Sequence, residues 1–145
     1  MRVAHLPLDV LDRVARLVGD RWSMLVLGAL SAGGRRYGEL SALVEGISSN
    51  VLAARLSDLA AAGLIVGEPY SPRPDRLRYE LTAEGRALVD ALAGLAAWGA
   101  EHAPGAGDDL ALRHEACGGT LQARWYCPTC DVDVSPGDDT GVFQA

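Results

Sequence analysis

The chain of 145 residues contains no lysine. All 13 of its cations are arginine, set against 19 aspartates and glutamates for a net charge of −6. Biased genome composition accounts for the missing lysine, and what remains is a cation set that grips carboxylate or phosphate through a planar fork. Three cysteines argue against a disulfide framework and leave metal or redox chemistry open. No apolar run reaches bilayer length; MLVLGALSAGG, residues 24–34, is the longest and is too short. The start, MRVAHLPLDVLDR, carries Asp9 and Asp12 where a signal peptide keeps its apolar core, so a cytoplasmic protein is expected. There is no internal repeat, nucleophile elbow, phosphate loop or pair of catalytic carboxylates. His5, His102 and His114 lie apart in the sequence, and an enzyme is not expected.

What is present suffices for a core: 49% of the residues are hydrophobic, in a length that suits one domain with a small appendage. The acidity is uneven. Residues 1–100 hold 11 arginines and 11 acids, whereas residues 101–145 hold 2 arginines and 8 acids. The whole excess of −6 belongs to the tail and does not bear on what the first hundred residues touch.

Hydrophobic spacing sets the order of elements. PLDVLDRVARLV places Leu8, Leu11, Val14 and Leu17/Val18 on one side of an amphipathic helix. DRWSMLVLGALSAGG, capped by Asp20 and ended by Gly33-Gly34, is apolar nearly all round and reads as the buried centre. RRYGELSALVEG is a shorter helix with Tyr37, Leu40 and Leu43/Val44 inward. GISSNVLAARLSDLAAAGLIV follows, with Ser48 or Ser49 as N-cap. LIVGEPY and RLRYELT are strand candidates around the turn-rich SPRPD, the second with Leu77, Tyr79 and Leu81 on one face and Arg76, Arg78 and Glu80 on the other. Thr82 caps a last helix with Leu88, Leu92, Leu95 and Trp98 along one side. Three helices, a hairpin and a helix make a mainly α winged helix-turn-helix, in which the third helix of the motif enters the major groove and the hairpin follows the backbone. The expected organisation is a DNA-binding and dimerisation domain over 1–103, a linker over 104–109 and a Cys/His tail over 110–145.

On a helical wheel advancing about 100° per residue, Leu56 and Leu59 fall near Leu52, while Asn50, Ala53, Ala54 and Ser57 fall opposite and Arg55 lies on the flank. The outer face is small and neutral. Asn50 suits a bidentate contact to adenine, Ser49 or Ser57 a less selective bond, and Ala53 or Ala54 a thymine methyl. Backbone grip then falls to Arg35, Arg36, Arg55, Arg73 and Arg76, helped by the helix N-terminus.

Several segments, in order, resemble the HxlR-type family of bacterial transcriptional regulators: GDRWSMLVLGAL, GRRYGEL, GISSNVLAARLSDLAAAGLI, RLRYELTAEGRAL and AAWG. The resemblance spans Gly19 to Trp98. It implies a homodimer, paired through its first and last helices, that regulates transcription from a pseudo-palindromic operator. Two departures stand out. The redox-sensing cysteine that many members carry near the N-terminus is absent from VAHLPLDVLDRV. Where members usually place basic residues and glutamine on the outer helix face, this chain has Asn50, Ala53, Ala54 and Ser57. Those departures keep a second reading open, a winged-helix protein-interaction scaffold that no longer reads DNA. A small-molecule effector near Trp98 and Tyr70 is compatible with the pattern, as is plain core packing.

The tail holds every cysteine. His114-x2-Cys117, then Cys127-x2-Cys130, supplies four donors in two close pairs, with Gly118-Gly119 after the first and Pro128 inside the second. Tetrahedral zinc needs such an arrangement, and a hairpin such as TLQARWY is expected to bring the turns together in a zinc-ribbon-like fold. A closed set of four leaves no open position for catalysis, so the metal is structural or sensory. Free thiols, or a thiol–disulfide switch between Cys127 and Cys130, are the other readings.

Overall fold

Asp20 begins the central helix as expected: its carboxylate accepts the backbone N–H groups of Trp22 and Ser23, both at 3.0 Å. The structure, a computed structural model, describes residues 7–72, 76–103 and 112–134. Arg73, His5 and the expected linker at 104–109 lie outside the described residues. The elements are α1 (Leu8–Val18), α2 (Arg21–Ser31), β1 (Arg35–Arg36), α3 (Tyr37–Leu43), α4 (Ser49–Ala61), β2 (Ile65–Pro69), β3 (Leu77–Leu81), α5 (Ala83–His102), β4 (Trp125–Cys127) and β5 (Val132–Val134). They fall in two compact units, one spanning Arg13–Leu92 and the other joining the start of α1 to residues from Ala93 onward.

In the first unit the core forms where α2, α3 and α4 meet the sheet. Val26, Leu27 and Leu30 of α2, Leu40 of α3, and Leu52, Leu56 and Leu59 of α4 are buried together with Leu64, Ile65 and Leu81. The stripes of α2, α3 and α4 therefore pack into one core, which is where an apolar helix face is worth most, whereas Leu8, Leu11, Val14 and Leu17 of α1 and Leu95 and Trp98 of α5 stay exposed. Two apolar positions differ from expectation. Of the Leu43/Val44 pair expected inward, Val44 is buried, while Leu43, where α3 ends, is 56% exposed. Leu25 is exposed as well, so α2 is central without being enclosed on every side.

The wing is an antiparallel sheet in the order β1-β3-β2. Strands β2 and β3 pair from Ile65↔Leu81 to Pro69↔Leu77, and the Tyr70 N–H extends the pairing to the Arg76 carbonyl at 3.1 Å. Alternation in β3 holds: Leu77, Tyr79 and Leu81 are the less exposed set, and Arg78 faces out to pair with Glu80 at 3.1 Å. The third strand was not expected. Arg35 and Arg36 pair with Tyr79 and Arg78, so the arginines preceding α3 form the sheet edge.

Helix α5 is anchored at its first turn. The Thr82 hydroxyl accepts the Gly85 N–H at 3.1 Å and donates to the Gly63 carbonyl at 2.6 Å. Gly85 is buried, and a Cβ there would fall 2.0 Å from the Leu64 carbonyl oxygen. No described helix is long and apolar enough to cross a membrane.

In the second unit the tail forms two hairpin ends. Arg113 bridges Thr120, and β4 pairs with β5 in the register Trp125↔Val134 to Cys127↔Val132. The segment TLQARWY, expected to be one hairpin, instead connects the two: its ends belong to different pairings because each ligand pair itself makes the tight turn.

Candidate nucleic-acid interface

The α3-turn-α4 unit positions the candidate reading surface. Gly46, at φ +82°, turns the chain between the helices in a conformation that side-chain-bearing residues disfavour. Ile47 is buried beneath the turn, and Ser48 caps α4 by accepting the Val51 N–H at 3.3 Å. The Tyr37 hydroxyl donates to the Ser49 carbonyl at 2.8 Å, fixing the start of α4 against the start of α3. With Leu52, Leu56 and Leu59 buried, Ser49, Asn50, Ala53, Ala54 and Ser57 are all exposed. The five residues expected to meet base edges thus share one solvent-facing side of a helix held at both ends, since Gly63 at φ +73° closes it.

The arginines occupy different settings. Arg76 is exposed at the base of the wing tip, and Arg35 is half-buried in β1. Arg36 is exposed, with its guanidinium 4.3 Å above the Tyr70 ring centre, which joins the sheet edge to the wing. Its backbone N–H donates to Glu39 Oε2 at 2.6 Å. That hydrogen bond outweighs the opposing effect of burial and, aided by the nearby arginine charges, holds the Glu39 carboxyl below its usual value. Arg55, on the flank of α4, is already engaged. Its guanidinium lies 3.4 Å from Asp20 and 2.9 Å from Asp58, and its Nε is buried without a hydrogen-bond partner. Sequence spacing cannot show the Asp20 contact, which joins residues on separate helices.

The aromatics considered for an effector have neighbours of their own. Tyr70 lies under Arg36, and Trp98 stacks on His102 at 5.2 Å between ring centres.

In the tail, His114 Nδ1 and Cys117 Sγ are 3.3 Å apart. The Cys127 thiol is held below its usual pKa by the N–H groups of Cys130 and Thr129 and by the Cys130 thiol; Cys130 is raised in turn by its hydrogen bond to Cys127 and that group's charge. The structure therefore brings each pair together. Among the described residues, no three His, Cys, Asp or Glu side chains converge as a metal site, so a four-ligand zinc ribbon is not assembled here.

The geometry of α3, α4 and the wing agrees with the comparisons to known proteins. The family model for the HxlR-like helix-turn-helix matches residues 17–106. The HTH-type transcriptional regulator Rv3095 of Mycobacterium tuberculosis is 38% identical over 128 residues, covering 88% of this chain and 80% of that protein. The HTH-type regulator YtcD of Bacillus subtilis is 34% identical over 91 residues, 63% of this chain and 72% of its own. The solved structure of PA1607, a candidate transcription factor, superposes with a TM-score of 0.78 at 27% identity, covering 98% of this chain and 96% of that one. These relatives are named as regulators of transcription and not as enzymes. The chain belongs to the HxlR-like helix-turn-helix family of transcriptional regulators.

Proposed function

We propose that the protein is a homodimer that binds a pseudo-palindromic operator and regulates transcription, with α4 in the major groove and the wing on the phosphate backbone. The observation that carries this reading is the division of α4 into a buried leucine face and an exposed face of Ser49, Asn50, Ala53, Ala54 and Ser57. A helix whose outer side chains are short lets its axis approach the base edges, where Asn50 supplies a two-pronged contact and the alanines meet methyl groups. Arg35, Arg36 and Arg76 give the phosphate contacts, together with Arg73 from the sequence reading, and Arg55 orients α4 through Asp20. Pairing of two chains is supported by α1, whose Leu8, Leu11, Val14 and Leu17 are all exposed, and by exposed Leu95 and Trp98 on α5. Rows of exposed apolar side chains of that kind mark surfaces that a partner covers.

The test is fluorescence anisotropy of the full-length protein with duplexes from upstream of its own gene, against random duplex, at two salt concentrations. The expected result is preference for one upstream fragment and affinity that falls steeply with salt. Failure to bind either duplex at low salt removes the DNA-reading proposal and leaves the winged-helix scaffold.

A further inference from the structure

Regulation of DNA leaves the tail unused, and the tail has an energetic problem of its own. None of the residues in 112–134 is buried; Trp125 is 72% exposed, and Leu121, Tyr126 and Val132 are exposed as well. So short a segment without a core does not offset its conformational entropy by apolar burial; such pieces are stapled by disulfides or metal.

The two ligand pairs occupy the same turn, built twice. In the first, the Gly118 N–H donates to the His114 carbonyl at 2.8 Å, and Gly118 adopts φ +70°. In the second, the Asp131 N–H donates to the Cys127 carbonyl at 2.9 Å, and Asp131 adopts φ +57°. Asp131 is the only described non-glycine residue with positive φ, a conformation uncommon without glycine. Its carboxylate accepts the Tyr126 hydroxyl at 2.5 Å. Each turn therefore carries donors at its first and fourth positions, is closed by a left-handed fifth residue, and ends an antiparallel pairing. The first turn holds His114 Nδ1 3.3 Å from Cys117 Sγ, and the second sets Cys127 and Cys130 at the same two positions of a turn closed by the same hydrogen bond.

One imidazole and three thiols form a borderline-to-soft donor set, suited to zinc and unsuited to calcium or magnesium. A disulfide between Cys127 and Cys130 would account for one turn and leave its twin, with its adjacent histidine and cysteine, unexplained. We propose that His114, Cys117, Cys127 and Cys130 bind one zinc ion that joins the two hairpin ends. The pairs stand in this structure as two half-sites, and the ion brings them onto one centre. With four protein ligands the site is closed, so its role is to hold the tail folded. The inference does not depend on DNA binding.

The test uses untagged full-length protein purified under reducing conditions. Elemental analysis is expected to find about one zinc per chain. Zinc is expected to hide all three thiols from a colorimetric thiol reagent, and a chelator to expose them. In competition with a chromophoric chelator, Cys117→Ser, Cys127→Ser and His114→Ala are each expected to lower zinc affinity at least tenfold, and His102→Ala to leave it unchanged. Cobalt substitution of the unaltered protein keeps the proposal testable where a variant misfolds: a sulfur-to-cobalt charge-transfer band with intense tetrahedral d–d bands is expected. Three results overturn it. They are zinc below about a tenth per chain after loading, affinity that depends on Cys127 but not on Cys117, and an aerobic mass two hydrogens lower with no metal retained.

Discussion

Arg55 on α4 reaches back to Asp20, the N-cap of α2, with Nη1 3.4 Å from the carboxylate. That carboxylate already accepts the Trp22 and Ser23 N–H groups and the Ser23 hydroxyl. One acidic residue thus both starts the central helix and ties α4 to it. Arg55 positions α4 against the start of α2 through this contact.

Separating the two roles is straightforward, because asparagine caps helices about as well as aspartate. Asp20→Ala is expected to lower unfolding stability by about 1 kcal/mol, measured by urea denaturation. Asp20→Asn should retain most of that stability yet weaken operator binding by releasing Arg55. Burial raises the Asp20 pKa, but the bonds from Ser23, the Arg55 charge and the Trp22 N–H together hold it below 3.8. The stabilisation is complete above 3.8 and disappears as pH falls through the lower folded value. Wild type should therefore lose stability over that acid range relative to Asp20→Asn, and parallel pH curves would show that Asp20 is not the titrating group.

Base reading and backbone grip separate in the same way. Asn50→Ala is expected to relax preference at one position per half-site, where the discrimination at stake is about 1–3 kcal/mol. Arg76→Ala should weaken all duplexes alike and reduce the salt slope by about 1. A panel of single-base operator variants, titrated at several salt concentrations, distinguishes these patterns. Equal loss on every sequence for both substitutions would remove Asn50 from base contact.

Two glycines predict opposite signs. An added Cβ at Gly28, in the middle of α2, meets nothing within 4 Å, so Gly28→Ala should stabilise by about 0.5–1 kcal/mol. At Gly85 the Cβ would fall 2.0 Å from the Leu64 carbonyl oxygen, and Gly85→Ala should destabilise by about 1–3 kcal/mol. Thermal melts of the two variants decide it.

The exposed stripe of α1 makes the fourth prediction. Leu11→Glu with Val14→Glu removes apolar surface without touching a buried side chain. Sedimentation velocity should show a shift towards monomer, and a species of unchanged size would move the pairing surface elsewhere.

Sequence periodicity was informative wherever an apolar stripe ran the length of an element. The leucines of α4, the cap at Asp20, the alternation of β3 and the Thr82 start of α5 are all local patterns, and all are present. What escaped was non-local or too short to have a period. Strand β1 has two residues, both arginine, and exists only because β3 offers a free edge. Leu43 looked inward because the wheel continues, whereas the helix stops. The engagement of Arg55 depends on a residue one helix away. In the tail, the ligand spacing predicted the turns, but the pairing of strands around them followed the turns and not the intervening segment.

The split of α4 into a packed side and a bare side has an evolutionary consequence. Positions 50, 53, 54 and 57 lie outside the core, so duplicated copies can exchange these side chains while the scaffold stays intact, and under the proposed base contacts such exchanges lead to new target genes. Ala53 and Ala54, the smallest of the set, offer the widest room for retargeting, by natural drift or by a designer's choice.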